Sequence, residues 1–172
     1  MQTLKSILSS NWRRIKRYIY GRKVKRAAQE ISGKIFINGF SRVNSKTRLG
    51  GNVHFNGLKV IGNGVVEIGD NFHSGTGCLL ITENHNFDHG EAIPYDNTFV
   101  TKEIVIEQNV WLGSNVIILP GTHIEEGAIV QAGAVVYGRV PRCAITGGNP
   151  SKVFKYRDIA HYDKLKLAKK FF

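Results

Sequence analysis

From Ile31 an apolar side chain returns every six residues, at Ile31, Ile37, Val43, Leu49, Phe55 and Ile61. One residue is added near Glu67, and the series continues through Ile68, Ser74 and Leu80, lapses, and resumes at Ile106, Leu112, Ile118, Ile124, Val130 and Val136. Fourteen of these fifteen positions are apolar, so the period belongs to the whole central chain and not to one stretch of it. Four residues after each stands a second series of small or apolar residues: Ile35, Ser41, Thr47, Val53, Val65, Phe72 and Cys78, then Val110, Val116, Thr122, Ala128, Ala134 and Val140. Lys59 and Asn84 break it. A period of six is neither that of a helix nor that of a simple strand. It suits short strands that turn a corner every six residues, three of them closing one triangular coil, with successive coils about 4.8 Å apart. Fifteen hexads predict about five coils over residues 31–141. Between the apolar positions, Gly50-Gly51-Asn52, Gly62-Asn63-Gly64 and Gly69-Asp70-Asn71 supply residues that tolerate the backbone angles of tight corners.

The flanks change period. Leu4, Ile7, Leu8, Trp12, Ile15 and Ile19 follow helical spacing within residues 1–30, as do Ile159, Tyr162, Leu165, Ala168 and Phe172 within 142–172. Asn149-Pro150 is expected to start the last helix, as an N-cap followed by proline in the first turn. Residues 82–102 leave the hexad altogether, and a loop of that length extruded from a regular solenoid points to function.

Composition narrows the class. With 172 residues, 42% of them hydrophobic, the chain can build one real core and is not a disordered basic tail. No apolar run reaches the roughly 18 residues of a membrane span, and Arg13, Arg14, Lys16 and Arg17 interrupt any secretory signal, so a cytoplasmic location is expected. Cys78 and Cys143 stand apart and support neither a disulfide framework nor a cysteine zinc site; both read as packing residues. Charge is concentrated at the ends. Residues 1–30 hold nine basic side chains and one acidic, residues 31–150 eight and ten, residues 151–172 seven and two. The basic N-terminal helix fits two roles, a cap on the open end of the solenoid or a segment lying on an acidic membrane surface. Aromatic and basic residues do not interleave as in a nucleic-acid module.

Five motifs carry a family likeness: Glu83-Asn84-His85, Asn109-Val110-Trp111-Leu112-Gly113-Ser114, Ile118-Leu119-Pro120-Gly121, Gln131-Ala132-Gly133-Ala134-Val135-Val136 and Gly148-Asn149-Pro150-Ser151-Lys152-Val153. In this order the chain resembles the hexapeptide-repeat acetyltransferases, nearest to the sugar and polysaccharide O-acetyltransferases, with the maltose and galactoside acetyltransferases as relatives. The resemblance implies an all-β solenoid, a left-handed parallel β-helix, and a homotrimer with active sites between subunits. It implies acetyl-CoA as acyl donor, no metal, and a sugar or glycan hydroxyl as acceptor. His85 matches the catalytic histidine: a neutral imidazole takes the proton of the attacking alcohol and returns it to the departing thiolate. Its second ring nitrogen needs an acceptor, for which Glu83, Asp88 and a backbone carbonyl are candidates. Trp111, Ser114 and Ala132 match positions along the CoA arm. Asn149, Lys152, Lys155 and Arg157 match the turn and the cations that meet the CoA phosphates. Asp70 and Asn84 match acceptor contacts. Where relatives have Thr-Lys-Asp after the last Ala-Gly-Ser hexad, this chain has Tyr137-Gly138-Arg139.

Each of these has a plainer reading. Trp111 can simply cover the solenoid, Ala132 fit coil packing, and the basic residues form a solvated face. Asp70 can serve its corner, and His54, His73 and His123 are expected to point outward. Two other activities compete: acylation of an amino sugar, serine or antibiotic, and a carbonic-anhydrase-like metal site using His85 and His89 with His54 or His73. A non-catalytic scaffold is the third alternative.

Overall fold

The structure, a computed structural model, describes residues 4–172, with side chains from Trp12 onward. The hexads form a three-faced parallel β-solenoid. Face I stacks Glu30–Ile31, Thr47–Leu49, Val66–Ile68, Ile104–Ile106, His123–Ile124 and Arg139–Val140. Face II stacks Ile35–Ile37, Val53–Phe55, His73–Ser74, Trp111–Leu112, Ile129–Val130 and Ala144–Gly148. Face III stacks Leu58–Ile61, Cys78–Ile81, Ile117–Ile118 and Val135–Val136. There are thus about six turns where the hexads predict about five. The additional turn comes from residues 139–148, where Val140, the last residue of the second series, is followed inward by Ala144 and Thr146, which belong to neither series.

The three-residue strands Thr47–Leu49, Val53–Phe55, Val66–Ile68 and Ile104–Ile106 bury residues i and i+2, because alternate side chains point to opposite sides of a strand. Phe55 and Phe72 meet edge to face inside, with Leu49, Leu80, Ile106, Leu112, Ile118 and Ile124 buried in the same column. The sequence period misplaces one turn. Ile61 is 49% exposed, and the inward residues of its strand are Leu58 and Val60. The corner after Phe55 is one residue short, and the corner at Gly62-Asn63-Gly64 makes up the difference, so Val66 and not Val65 enters the core. The same slip turns Lys59 outward, which is why it breaks the second series.

The corner between faces I and II carries a ladder of asparagines. Asn52, Asn71 and Asn109 all have positive φ (56°, 54° and 62°), a conformation that asparagine tolerates better than most residues. Their amides also bond from turn to turn: Asn52 Nδ2 donates to Asn71 Oδ1 at 3.0 Å, and Asn71 Nδ2 donates to Asn109 Oδ1 at 2.9 Å.

Helix α1 (Leu4–Ala27) closes the first turn. Val24 is buried there, and Tyr20 and Ala27 pack on the core. At the other end Asn149-Pro150 does not begin a helix. It turns the chain into Ser151–Tyr156, which pairs antiparallel with Ala144–Gly148 and covers the outer edge of face II. Unpaired donors and acceptors on that last edge are satisfied by a strand, as a helix could not do. Helix α2 spans only Ile159–Leu167, with the Asp158 side chain accepting from His161 N at 2.9 Å, so Ala168 and Phe172 lie beyond it. It lies along the I/II corner, where the Tyr162 hydroxyl accepts from Asn109 Nδ2 at 2.8 Å and donates to Glu126 Oε1 at 2.9 Å. Burial and the Glu126 carboxylate raise the tyrosine well above its ordinary value, so it remains a donor throughout the working range.

Candidate active site

The solenoid opens once, at the corner between faces III and I. Thr82 is fully buried there: its hydroxyl donates to Ile61 O and accepts from Gly64 N, both at 2.9 Å, and its carbonyl accepts from Lys102 N at 2.9 Å. Chain exit and re-entry are tied together, and the residues between project as an arm. Its base is a two-stranded antiparallel ribbon, Glu83–His85 against Phe99–Thr101, so part of the expected loop is strand. Its tip is held by Asp96, whose carboxylate accepts from Thr98 Oγ1 at 2.6 Å, Thr98 N at 2.8 Å and Glu91 N at 2.9 Å. Those bonds, the Thr98 hydroxyl first, hold the carboxyl below its ordinary value.

His85 ends the first arm strand. Its ring lies against Tyr95 (centroids 3.7 Å apart, planes 14° from parallel) and Phe99 (4.4 Å, 35°). This aromatic clamp fixes the plane of the imidazole. Nδ1 is buried and has no hydrogen-bond partner among the described residues. Of the acceptors considered for it, Glu83 is turned elsewhere, its Oε2 accepting from Asn63 N at 2.9 Å. Asn84 is exposed beside it. Between the arm and the solenoid lies a cavity of about 440 Å³, bordered by Asn84, His85, His89, Lys102, Leu119 and Tyr137.

The other expected residues are elsewhere. Ser114 and Ala132 occupy the corner between faces II and III, with Asn149 in the hairpin turn that follows the last face II strand. Ser114 Oγ accepts from Thr76 N at 3.3 Å, one turn below. Ala132, Gly133 and Asn149 are exposed, and a Cβ added at Gly133 would meet nothing within 4 Å, so this corner is an open strip of small residues. Lys152 and Lys155 stand exposed on the covering strand, opposite Gly147 and Ile145. Trp111 is on the outside of face II, 53% exposed, between His73 and Ile129. It lines a second cavity of about 340 Å³ with Arg157, Tyr162, Lys170 and Phe172; Arg157 Nε donates to Gly127 O at 2.6 Å. Asp70 lies on the I/II corner, where its carboxylate accepts from Gly51 N at 2.6 Å. His54 and His73 stack outside face II, 4.2 Å apart, and burial followed by the His73 charge lowers the His54 pKa. His123 faces outward to Glu107, 2.7 Å away.

One chain therefore assembles the strip of Ser114, Ala132 and Asn149, and separately the clamped histidine, with face III between them. The clamp escapes sequence reasoning. Its only trace is that Tyr95 and Phe99 are bulky aromatics in a loop that otherwise lacks a hydrophobic period.

Residues 103–138 match the family model described as "Bacterial transferase hexapeptide (six repeats)". That stretch carries the hexapeptide repeat of bacterial transferases. It is 39% identical over 85 residues to the "Putative lipopolysaccharide biosynthesis O-acetyl transferase WbbJ" of Escherichia coli K12, covering 45% of this chain and 43% of that one. It is 37% identical over 87 residues to the 2,3,4,5-tetrahydropyridine-2,6-dicarboxylate N-acetyltransferase of Staphylococcus aureus JH9, covering 51% of this chain and 31% of that one. The chain thus matches less than half the length of either relative. Among solved structures, a galactoside acetyltransferase in complex with coenzyme A superposes with a TM-score of 0.68 at 24% identity, over 80% of this chain and 67% of that one. That likeness is one of fold.

Proposed function

We propose that this protein is an acetyl-CoA-dependent O-acetyltransferase acting on a sugar hydroxyl of a glycan or glycan precursor, and that its sites form between the subunits of a homotrimer. The observation that carries the reading is His85: a clamped imidazole on an arm, bordering the cavity between arm and solenoid. The open strip of Ser114, Ala132 and Asn149 lies across face III from the arm, so closing a neighbour's arm over it unites the two halves.

The fit to the acyl donor is chemical. Small exposed residues let an extended pantetheine chain lie close to the corner, and Lys152 and Lys155 follow the hairpin turn where phosphates would need cations. In the reaction His85 accepts the proton of the acceptor hydroxyl as its oxygen bonds to the thioester carbon. The carbon–sulfur bond then breaks, and the proton passes to the thiolate. In this reading Ser114 and nearby backbone N–H groups meet the negative charge that develops on the carbonyl oxygen. The likeness to the N-acetyltransferase of Staphylococcus aureus brings in an amine as the competing acceptor, for which the same proton transfer serves.

The deciding experiment is thiol release from acetyl-CoA against mono-, oligo- and lipid-linked saccharides and amino sugars, with wild type and His85→Ala. Turnover is expected with a hydroxyl acceptor and a fall of roughly 10²-fold or more in the variant, its fold unchanged. Equal turnover removes His85 from the mechanism. Transfer to amines only replaces the O-acetyl reading, and a monomer in sedimentation equilibrium refutes the shared site.

A further inference from the structure

Helix α1 is longer than its capping task requires. Its contact with the solenoid is made near its end, by Tyr20, Val24 and Ala27. Closer to its start, Trp12, Ile15 and Ile19 are 58%, 48% and 44% exposed. At 100° per residue the capping side chains fall within about 60° of one another on the helix circumference, and the exposed ones likewise, in a second stripe about 110° away. One helix thus carries two apolar stripes, and among the described residues only the first packs against the core.

The polar surface around the second stripe is of one sign. From Leu4 to Ala27 there are nine lysines and arginines and no acidic residue. Lys16 Nζ lies 5.4 Å from the centre of the Trp12 ring, and the Arg22 guanidinium 5.8 Å from that of Tyr18. Long cationic side chains alongside aromatic rings let the apolar bodies enter a hydrocarbon boundary while the charges stay at the level of the headgroups. A second copy of the helix would meet nine positive charges with nine more. A nucleic acid would neutralise the charge but leave Trp12, Ile15 and Ile19 in water. A bilayer surface carrying acidic phospholipids satisfies both features. No helix of the described residues is long and apolar enough to cross a membrane, and the stripe needs only to lie on one.

We infer that α1 divides in function along its length: its last two turns cap the solenoid, and its earlier turns dock the protein flat on an anionic phospholipid surface through Trp12, Ile15 and Ile19. This goes beyond the acyl-transfer reading and does not depend on it.

The test is co-sedimentation of the full chain with vesicles of phosphatidylcholine, pure or with about 30% phosphatidylglycerol, in roughly 0.1 M salt. Binding to the acidic vesicles is expected to be at least tenfold tighter than to neutral ones. The triple variant Trp12→Ser, Ile15→Ser, Ile19→Ser should weaken it a further tenfold or more, with the thermal midpoint retained because the capping residues are untouched. A second variant, Arg14→Gln, Lys16→Gln, Arg17→Gln, keeps the stripe and should lose the preference for acidic lipid. In a Trp111→Phe background, Trp12 emission should shift to shorter wavelength when vesicles are added. The inference is overturned if the full chain stays in the supernatant with acidic vesicles, or if the serine variant binds them as tightly as wild type. It is overturned equally if a DNA duplex of about 30 base pairs displaces the vesicles and binds both proteins alike.

Discussion

If the clamp on His85 exists to orient the imidazole, removing one jaw should slow the reaction while the solenoid stays folded. Tyr95 is the jaw to remove, because its ring lies nearest the imidazole at 3.7 Å and closest to parallel, at 14°. An aromatic pair contributes about 0.5–1.5 kcal/mol beyond simple burial. If that energy holds His85 in its productive orientation, Tyr95→Ala raises the barrier by the same amount, a fall of about 2- to 13-fold in kcat. Tyr95→Phe keeps the stack and should stay close to wild type. Tyr95 is 46% exposed on the arm, outside the solenoid core, so the thermal midpoint of Tyr95→Phe should match wild type and that of Tyr95→Ala should fall by no more than about 6 °C, at about 2–4 °C per kcal/mol. The assay is acceptor-dependent thiol release with saturating acetyl-CoA, read beside a thermal melt. Full activity in Tyr95→Ala refutes orientation by the clamp, as does equal loss in Tyr95→Phe and Tyr95→Ala.

Three further outcomes follow from the solenoid itself. Leu112 is fully buried in the apolar column, so Leu112→Ala should cost about 2–5 kcal/mol in urea unfolding; a loss under 1 kcal/mol would contradict the packed interior. A Cβ at Gly113 would sit 2.5 Å from the Ala132 nitrogen of the next turn, whereas one at Gly133 meets open space. Gly113→Ala should therefore destabilise clearly more than Gly133→Ala, which bears only the strain of its positive φ, about 1 kcal/mol; equal urea midpoints would show that the turns are not so closely stacked. For Glu126, burial raises the pKa, but Lys166, Tyr162 and Gln108 together outweigh it and hold the carboxyl below its ordinary value. Its contribution is then complete above the unfolded value of 4.5 and is lost as pH falls through the lower native one. The stability gap between wild type and Glu126→Gln should accordingly be open at pH 7 and narrow below pH 4.5, and a gap unchanged with pH would disprove the coupling.

What the chain determines by itself is the repeat. Six-residue spacing, small and apolar residues at fixed offsets, and asparagine or glycine between them are local properties, and stacking identical units turns a local period into a global shape. The exit of the arm is legible for the same reason, since residues 82–102 have no hexad to offer. Tertiary structure decided matters that depend on residues meeting across turns. The corner after Phe55 is short and the next one long because the turns above and below must stay in register, and only the stack shows that Val60 replaces Ile61 inside. Asn149-Pro150 has the composition of a helix start, yet an unpaired sheet edge next to it takes a strand instead. The clamp of Tyr95 and Phe99 on His85 arises only when the arm folds back on itself, and the distance from His85 to Ser114 only when face III is placed between them. Periodicity reports which side of the backbone meets water. It carries no information about which distant residues the closed chain then brings face to face.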